Sequence, residues 1–140
     1  MFEKIINSKS IFSIGLSNSK EVDNDGIVIA TKSSMKKSLD KINYDYALID
    51  SVDLMINKPY FNFNKADSIS VSVAAASIIA KVCRDSMMSN IYDKLYPDYF
   101  FKNNKGYGSN KHIKIMKNIG LCSIHRKTFK PNSELIRKWD

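Results

Sequence analysis

Apolar and polar residues change rhythm several times along the chain, and each rhythm predicts an element. Residues 10–17, Ser-Ile-Phe-Ser-Ile-Gly-Leu-Ser, alternate with the two-residue period of a half-buried strand, and the polar run 18–25 that follows predicts a loop. Over 26–42 the apolar residues Ile27, Ile29, Ala30, Met35, Leu39 and Ile42 keep to one face while lysines fill the other. That spacing predicts an amphipathic helix, with Asp23 or Asp25 as its cap. Tyr46-Ala47-Leu48-Ile49 is a short apolar run, a buried strand that delivers Asp50 from its C-terminal end. Pro59 marks a loop, and residues 60–65 alternate again as a strand.

The next stretch predicts a long helix over 69–95, stopped by Tyr96-Pro97 because proline excludes the helical conformation for the residue before it. Its middle is Ala, Ile and Val, which predicts burial. Residues 100–110 are irregular, a short helix over 111–119 is closed by Gly120, and a last helix over 133–139 follows Pro131. Strands alternating with helices make this an α/β chain, and 140 residues fit a single domain, 1–140, able to bury a core.

Charge narrows the partner. A formal net charge of +8 favours a polyanion, because each phosphate met by Lys or Arg releases counterions. A chain rich in Lys, Asn, Ile and Ser also arises from AT-rich coding DNA, so charge alone leaves nucleic acid one option among others. Cys83 and Cys122 are far apart and have no Cys/His cluster around them, so they read as reduced thiols of a cytosolic protein. No apolar run reaches the ~18 residues of a membrane span, and Met1-Phe2-Glu3-Lys4 lacks the layout of a signal peptide. A soluble, cytoplasmic chain is expected.

Three constellations can carry chemistry. Lys65-Ala66-Asp67-Ser68 sets a carboxylate at a strand-to-helix junction, where it either caps the helix or serves as a rigidly held metal or acid-base group. Asp50 stands at the exit of the preceding strand and either ends it as a turn former or shares one sheet edge with Asp67. Two converging carboxylates repel unless they share a cation, and hard oxygen donors suit Mn²⁺ or Mg²⁺. Two acids are a thin set for such ions. Asp53 is close enough in sequence to add to them, whereas Asp85 and Asp93 lie within the long helix and are expected to pair with Arg84 or Lys94. The second constellation runs from Lys102 to His112: glycines flank Tyr107, lysines such as Lys105 can meet phosphates, and the ring can lie on a sugar or base or pack over a turn. The third is Ile124-His125-Arg126-Lys127-Thr128-Phe129-Lys130, which could line a phosphate groove or be a solvated connector, with His125 a structural hydrogen-bonding residue or a base.

Taken in order, Ile49-Asp50, Lys65-Ala66-Asp67-Ser68, residues 74–82 with Arg84-Asp85, Lys105-Gly106-Tyr107-Gly108 and Ile124-His125-Arg126 with Phe129 resemble ribonuclease HII. The resemblance extends over about residues 10–131. It implies a ribonuclease H-like α/β fold and an endonuclease that cuts the RNA strand of RNA–DNA hybrids and nicks DNA at embedded ribonucleotides. Divalent-metal hydrolysis, with Mn²⁺ or Mg²⁺, would leave 3′-hydroxyl and 5′-phosphate ends. Asp50 and Asp67 would be two of four acidic metal ligands and hence the catalytic acids. Tyr107 would pack on the sugar at the RNA-to-DNA junction, and Lys65, Lys105 and Arg126 are the remaining candidate substrate contacts.

The departures from that family are as specific as the match. Its opening Asp-Glu-Ala-Gly-Arg-Gly strand supplies the other two acids and reads the 2′-hydroxyl, yet no Asp-Glu or Gly-Arg pair occurs in these 140 residues. The chain then corresponds to a C-terminal portion that starts about 60–80 residues into the family's domain. The sheet would be incomplete, the strand over 10–17 would lack its neighbours, and exposed edges would favour aggregation. Ser51 replaces the glycine usual after the strand aspartate. On this reading the fragment is inactive by itself; its missing acids are either supplied by a separately encoded N-terminal part or lost, and it is otherwise a monomer. The alternatives are a non-catalytic, basic nucleic-acid-binding remnant of the family, or, outside it, a small RNA-binding protein of the translation machinery.

Overall fold

The computed structural model describes residues 1–136 and divides into two compact units. One comprises Met1–Ser17 with Asp25–Val82; the other comprises Asn18–Asn24 with the chain from Cys83 on.

In the first unit, β1 (Ala47–Asp50) and β2 (Tyr60–Phe63) pair in parallel, with Ala47 opposite Tyr60 and Asp50 opposite Phe63. Parallel neighbours ordinarily need a crossover of a dozen or more residues. Here residues 51–59 suffice, turning through two left-handed residues, Ser51 (φ 61°) and Met55 (φ 49°). The ladder is prolonged at both ends, where Ala47 N–H donates to Pro59 O (3.0 Å) and Ser51 N–H to Phe63 O (3.1 Å). Ala47 and Ile49 face inward with Leu54, and Met35 and Leu39 of α3 (Ile27–Leu39) close over them. The short α1 (Phe2–Ile6) precedes this core in sequence.

Residues 10–17 form neither a strand nor a helix. Their polar bonds go to α3 and to Lys41 just beyond it: Lys37 Nζ donates to Leu16 O (3.0 Å), Lys41 Nζ to Ile14 O (2.8 Å), and Ser17 Oγ to Ala30 O (3.0 Å). Period-two alternation does not by itself make a strand, and here the described sheet does not include the segment. Gly15 lies so close to α3 that a Cβ on it would stand 1.8 Å from Ser34 O, which excludes any other residue.

The predicted helix over 69–95 starts earlier and is interrupted. α4 (Ala66–Ile69) ends at the extended Ser70, and α5 (Val71–Met87) begins with Ser70 Oγ accepting from Val73 N–H (3.5 Å). A π-turn at Met88–Tyr92 and a single turn α6 (Asp93–Leu95) follow, stopping before Pro97 as expected. The Ala-rich middle is not largely buried, since Val73 and Ile79 are the buried residues of α5. Alanine there supplies helix propensity more than core.

The polar run 18–25 is a helix, α2 (Ser19–Asp25), not a loop. Asn18 and Glu21 cap it reciprocally: Glu21 N–H donates to Asn18 Oδ1 (3.0 Å) and Asn18 N–H to Glu21 Oε2 (2.6 Å). Neither Asp23 nor Asp25 caps α3, whose N-cap is Gly26. In the second unit a 3₁₀ turn (Pro97–Tyr99), α7 (Phe101–Asn104), α8 (Asn110–Ile119) and α9 (Asn132–Ile136) surround Tyr99, Phe101, Met116 and Leu135. Residues 137–139 of the predicted last helix lie outside the described residues.

The two strands form the one sheet among the described residues, and helices make up most of the rest. This is an incomplete ribonuclease H-like α/β fold with C-terminal helices. No described helix is long and apolar enough to cross a membrane.

Candidate functional site

Asp50 and Asp67 are joined through backbone. β1 ends at Asp50, whose Oδ1 accepts from Ala66 N–H (3.0 Å), and Asp67 is the next residue, in the first turn of α4. Lys65, left-handed at φ 57°, turns the chain from β2 into that helix. The helix-capping contact, one of the two readings of Asp67, is made by Asp50, which satisfies an N–H that the helix start leaves free. Asp67 is left exposed, as is Lys65, while Asp50 is half-buried and also accepts from Ser51 Oγ (3.0 Å). Asp53 is committed to its own loop, accepting from Tyr60 O–H and from Met55 N–H (3.2 Å). The Tyr60 bond, ahead of the Met55 bond, holds its carboxyl below the usual range.

The Tyr107 loop belongs to the second unit and is built around a cation and an anion. Arg84 lies over the Tyr107 ring, 4.5 Å from its centroid, and donates to Asp85 Oδ1 (3.0 Å); the Tyr107 hydroxyl also reaches Asp85 Oδ1 (3.4 Å). Asn104 Oδ1 accepts from Gly106 N–H (2.7 Å), and Gly106 takes φ 74° with Arg84 and Met88 close by. Lys105, half-buried, donates from Nζ to Ser89 Oγ and Lys102 O. Tyr107 remains half-exposed. Asp85 pairs with Arg84 as expected; Asp93 instead accepts from Lys102 N–H (2.7 Å), which ties α6 to α7.

His125 is structural. Its ring is buried against His112, with Nε2 atoms 3.3 Å apart, and Tyr99 and Phe101 lie beside both. Cys122 N–H donates to His125 Nδ1 (3.0 Å), so the neutral ring holds its proton on Nε2 and gives it to His112 Nε2. Burial, with the neighbouring His112 adding to it, pushes the His125 pKa down to about 4, and burial lowers His112 too. Burial raises the Cys122 thiol, and both cysteines are free. Arg126, next in sequence, is exposed, with its guanidinium 4.0 Å over the Phe129 ring.

Two contributors escaped sequence reasoning. The Asn18-x-x-Glu21 capping box had a legible spacing, whereas the hold of Asp23 on Lys127 and Thr128 spans more than a hundred residues and left no local signal. Among the described residues, no group of three or more His, Cys, Asp or Glu could hold a metal ion.

A family model for ribonuclease HII matches residues 3–132. Ribonuclease HII of Enterococcus faecalis is 40% identical over 138 residues, 97% of this chain and 54% of that protein. That of Listeria innocua is 42% identical over 136 residues, 96% of this chain and 52% of the other; that of Acholeplasma laidlawii is 38% identical over 140 residues, covering 99% and 68%. The chain thus spans about half the length of the first two of these relatives.

Proposed function

Because the chain belongs to the ribonuclease HII family, we propose that it contributes to a cytoplasmic endonuclease acting on RNA–DNA hybrids and on DNA with embedded ribonucleotides. Asp50 and Asp67 are two of the carboxylates that hold Mn²⁺ or Mg²⁺, and Tyr107, Lys105, Lys65 and Arg126 meet the nucleic acid. The observation that carries this reading is the Asp50–Ala66 bond, which fixes one acid beside the turn that bears the other, inside the matched region.

In kind, the two carboxylates fit a hard cation; in number, they fall short of a complete set. A complete set needs further acids beside these two, so no hydrolytic step is assigned to Asp50 and Asp67 alone. When bound, such an ion activates water and stabilises the charge that develops at the phosphodiester. The chain's own part is to orient Asp50 through Ala66, to neutralise phosphates with its +8 charge, and to offer the Tyr107 ring to a sugar.

Mn²⁺ titration, hybrid binding and hybrid cleavage by the wild-type chain, Asp50→Asn and Asp67→Asn test the proposal. The amide of Asp50→Asn still accepts from Ala66 N–H, so the charge is removed while the turn stays. The expected outcome is weak Mn²⁺ binding lost in both variants, salt-sensitive hybrid binding retained in both, and little or no cleavage by any. Robust cleavage by the wild type that vanishes in Asp50→Asn would overturn the incomplete site. Hybrid binding with no Mn²⁺ binding would favour the non-catalytic remnant.

A further inference from the structure

An acid held inside the basic loop is unexplained by the proposed chemistry. Asp23, on α2, accepts from Lys127 N–H at Oδ2 (2.8 Å) and from both Thr128 N–H (3.0 Å) and Thr128 Oγ1 (2.7 Å) at Oδ1. Burial alone would raise its pKa, but the bonds from Thr128 and Lys127, with the nearby Arg126 charge, bring it below the usual carboxylate range. The helix that carries Asp23 is itself fixed, by the Asn18–Glu21 capping box and by Ser19 Oγ donating to Ser123 O (3.3 Å). On the other side of Arg126 the loop is anchored by the buried His125 ring, and Asn132 Nδ2 donates to Arg126 O (2.8 Å). Arg126 and Lys127 are exposed between these anchors.

We propose that Asp23 is a positioning residue for the nucleic-acid contact: by clamping Lys127 and Thr128 it holds Arg126 and Lys127 in a preformed basic loop. This rests on the reading of Arg126 as a substrate contact. The physical gain is preorganisation, since a loop already ordered loses less conformational entropy when it meets phosphates. The sign of the effect is diagnostic. An acid that merely sits on a polyanion-binding surface weakens binding, and removing it strengthens binding. Removing the clamp does the opposite, although it also deletes a negative charge.

Binding of a short RNA–DNA hybrid, followed by fluorescence anisotropy over a salt series, separates the two. Asp25→Asn, which removes an exposed acid outside the clamp, is expected to bind equally or slightly more tightly. Asp23→Ala is expected to bind about 3- to 10-fold more weakly. Asp23→Asn should lie between, because its amide oxygen still accepts from Thr128. Arg126→Ala should weaken binding and lower the salt slope by about one. In the Asp23→Ala/Arg126→Ala double variant the Asp23 penalty should shrink, because the clamp acts through Arg126. A weaker Arg126→Ala beside an Asp23→Asn that binds as well as wild type or better would overturn the clamp alone. Unchanged affinity in Arg126→Ala would overturn the loop as a nucleic-acid contact, and a wild type that binds no hybrid would overturn the functional reading and the clamp together. Should Asp23→Ala fail to fold, Asp23→Asn carries the comparison.

Discussion

In the second unit a group of rings lies inside: Phe101 is 1% exposed and stacks on Tyr99 with centroids 5.6 Å apart, and His112 and His125 stack at 5.3 Å in the same interior. In the first unit the buried set is small, Ala30, Ala47, Ile49, Leu54 and Ala66 among it, while Leu48, Phe61, Ile11 and Val71 are exposed. The difference separates two kinds of functional readiness. The loops of Tyr107 and Arg126 adjoin that interior, through Gly106 beside Phe101 and through the buried His125 that precedes Arg126. Asp50 and Asp67 rest on two four-residue strands whose outward faces carry apolar side chains, a frame whose stability depends on few contacts.

The harshest test of that contrast pairs Phe101→Ala with Phe61→Ala. Removing a fully buried ring costs about 3–5 kcal/mol, whereas Phe61, 56% exposed and touching Phe63 at 5.5 Å, should cost about 1 kcal/mol or less. Urea unfolding followed by far-ultraviolet circular dichroism measures both. Equal losses would break the comparison.

Acid should act on the second unit first. The folded His125 has a pKa of about 4, below the ordinary 6.5, and that of His112 is lowered as well. The unfolded chain therefore takes up protons before the folded one as pH falls. Stability is full above about 6.5 and declines as pH drops from there toward 4, by up to ~3 kcal/mol for a single group moved that far. Amide exchange at Met116 and Leu135 should quicken across that window more than at Ile49. Uniform behaviour would show that the buried pair does not control the unit.

The same contrast explains what was legible in the sequence. Elements defined by local chemistry were readable: β1 from its apolar run, β2 from its alternation, the stop before Pro97, the close of α8 at Gly120. The placement of Asp50 and Asp67 at two successive strand exits was readable for the same reason. What escaped depends on partners distant in sequence. Residues 10–17 have the rhythm of a strand, but the Leu16 and Ile14 carbonyls are taken by Lys37 on α3 and by Lys41 just beyond it. Asp23 looked like a cap for the helix beside it and instead holds Thr128. Capping was one of two readings of Asp67, and the bond to its helix start is made by Asp50, seventeen residues earlier.

The smallest expected effect bears most directly on the weaker unit. Ser51 is left-handed at φ 61°, a conformation that costs a residue with a Cβ about 1–2 kcal/mol and glycine almost nothing. Ser51→Gly relieves that strain but deletes the hydroxyl that donates to Asp50 (3.0 Å) and frees the unfolded backbone. The terms nearly offset, with strain the larger, so a net gain of about 0.5 kcal/mol is expected as a higher urea midpoint at unchanged slope. Asp50 would still accept from Ala66, so Mn²⁺ binding should persist in Ser51→Gly. A loss of stability instead would mean that the hydroxyl bond outweighs the strain, and that Ser51 is part of what holds the Asp50 carboxylate in place.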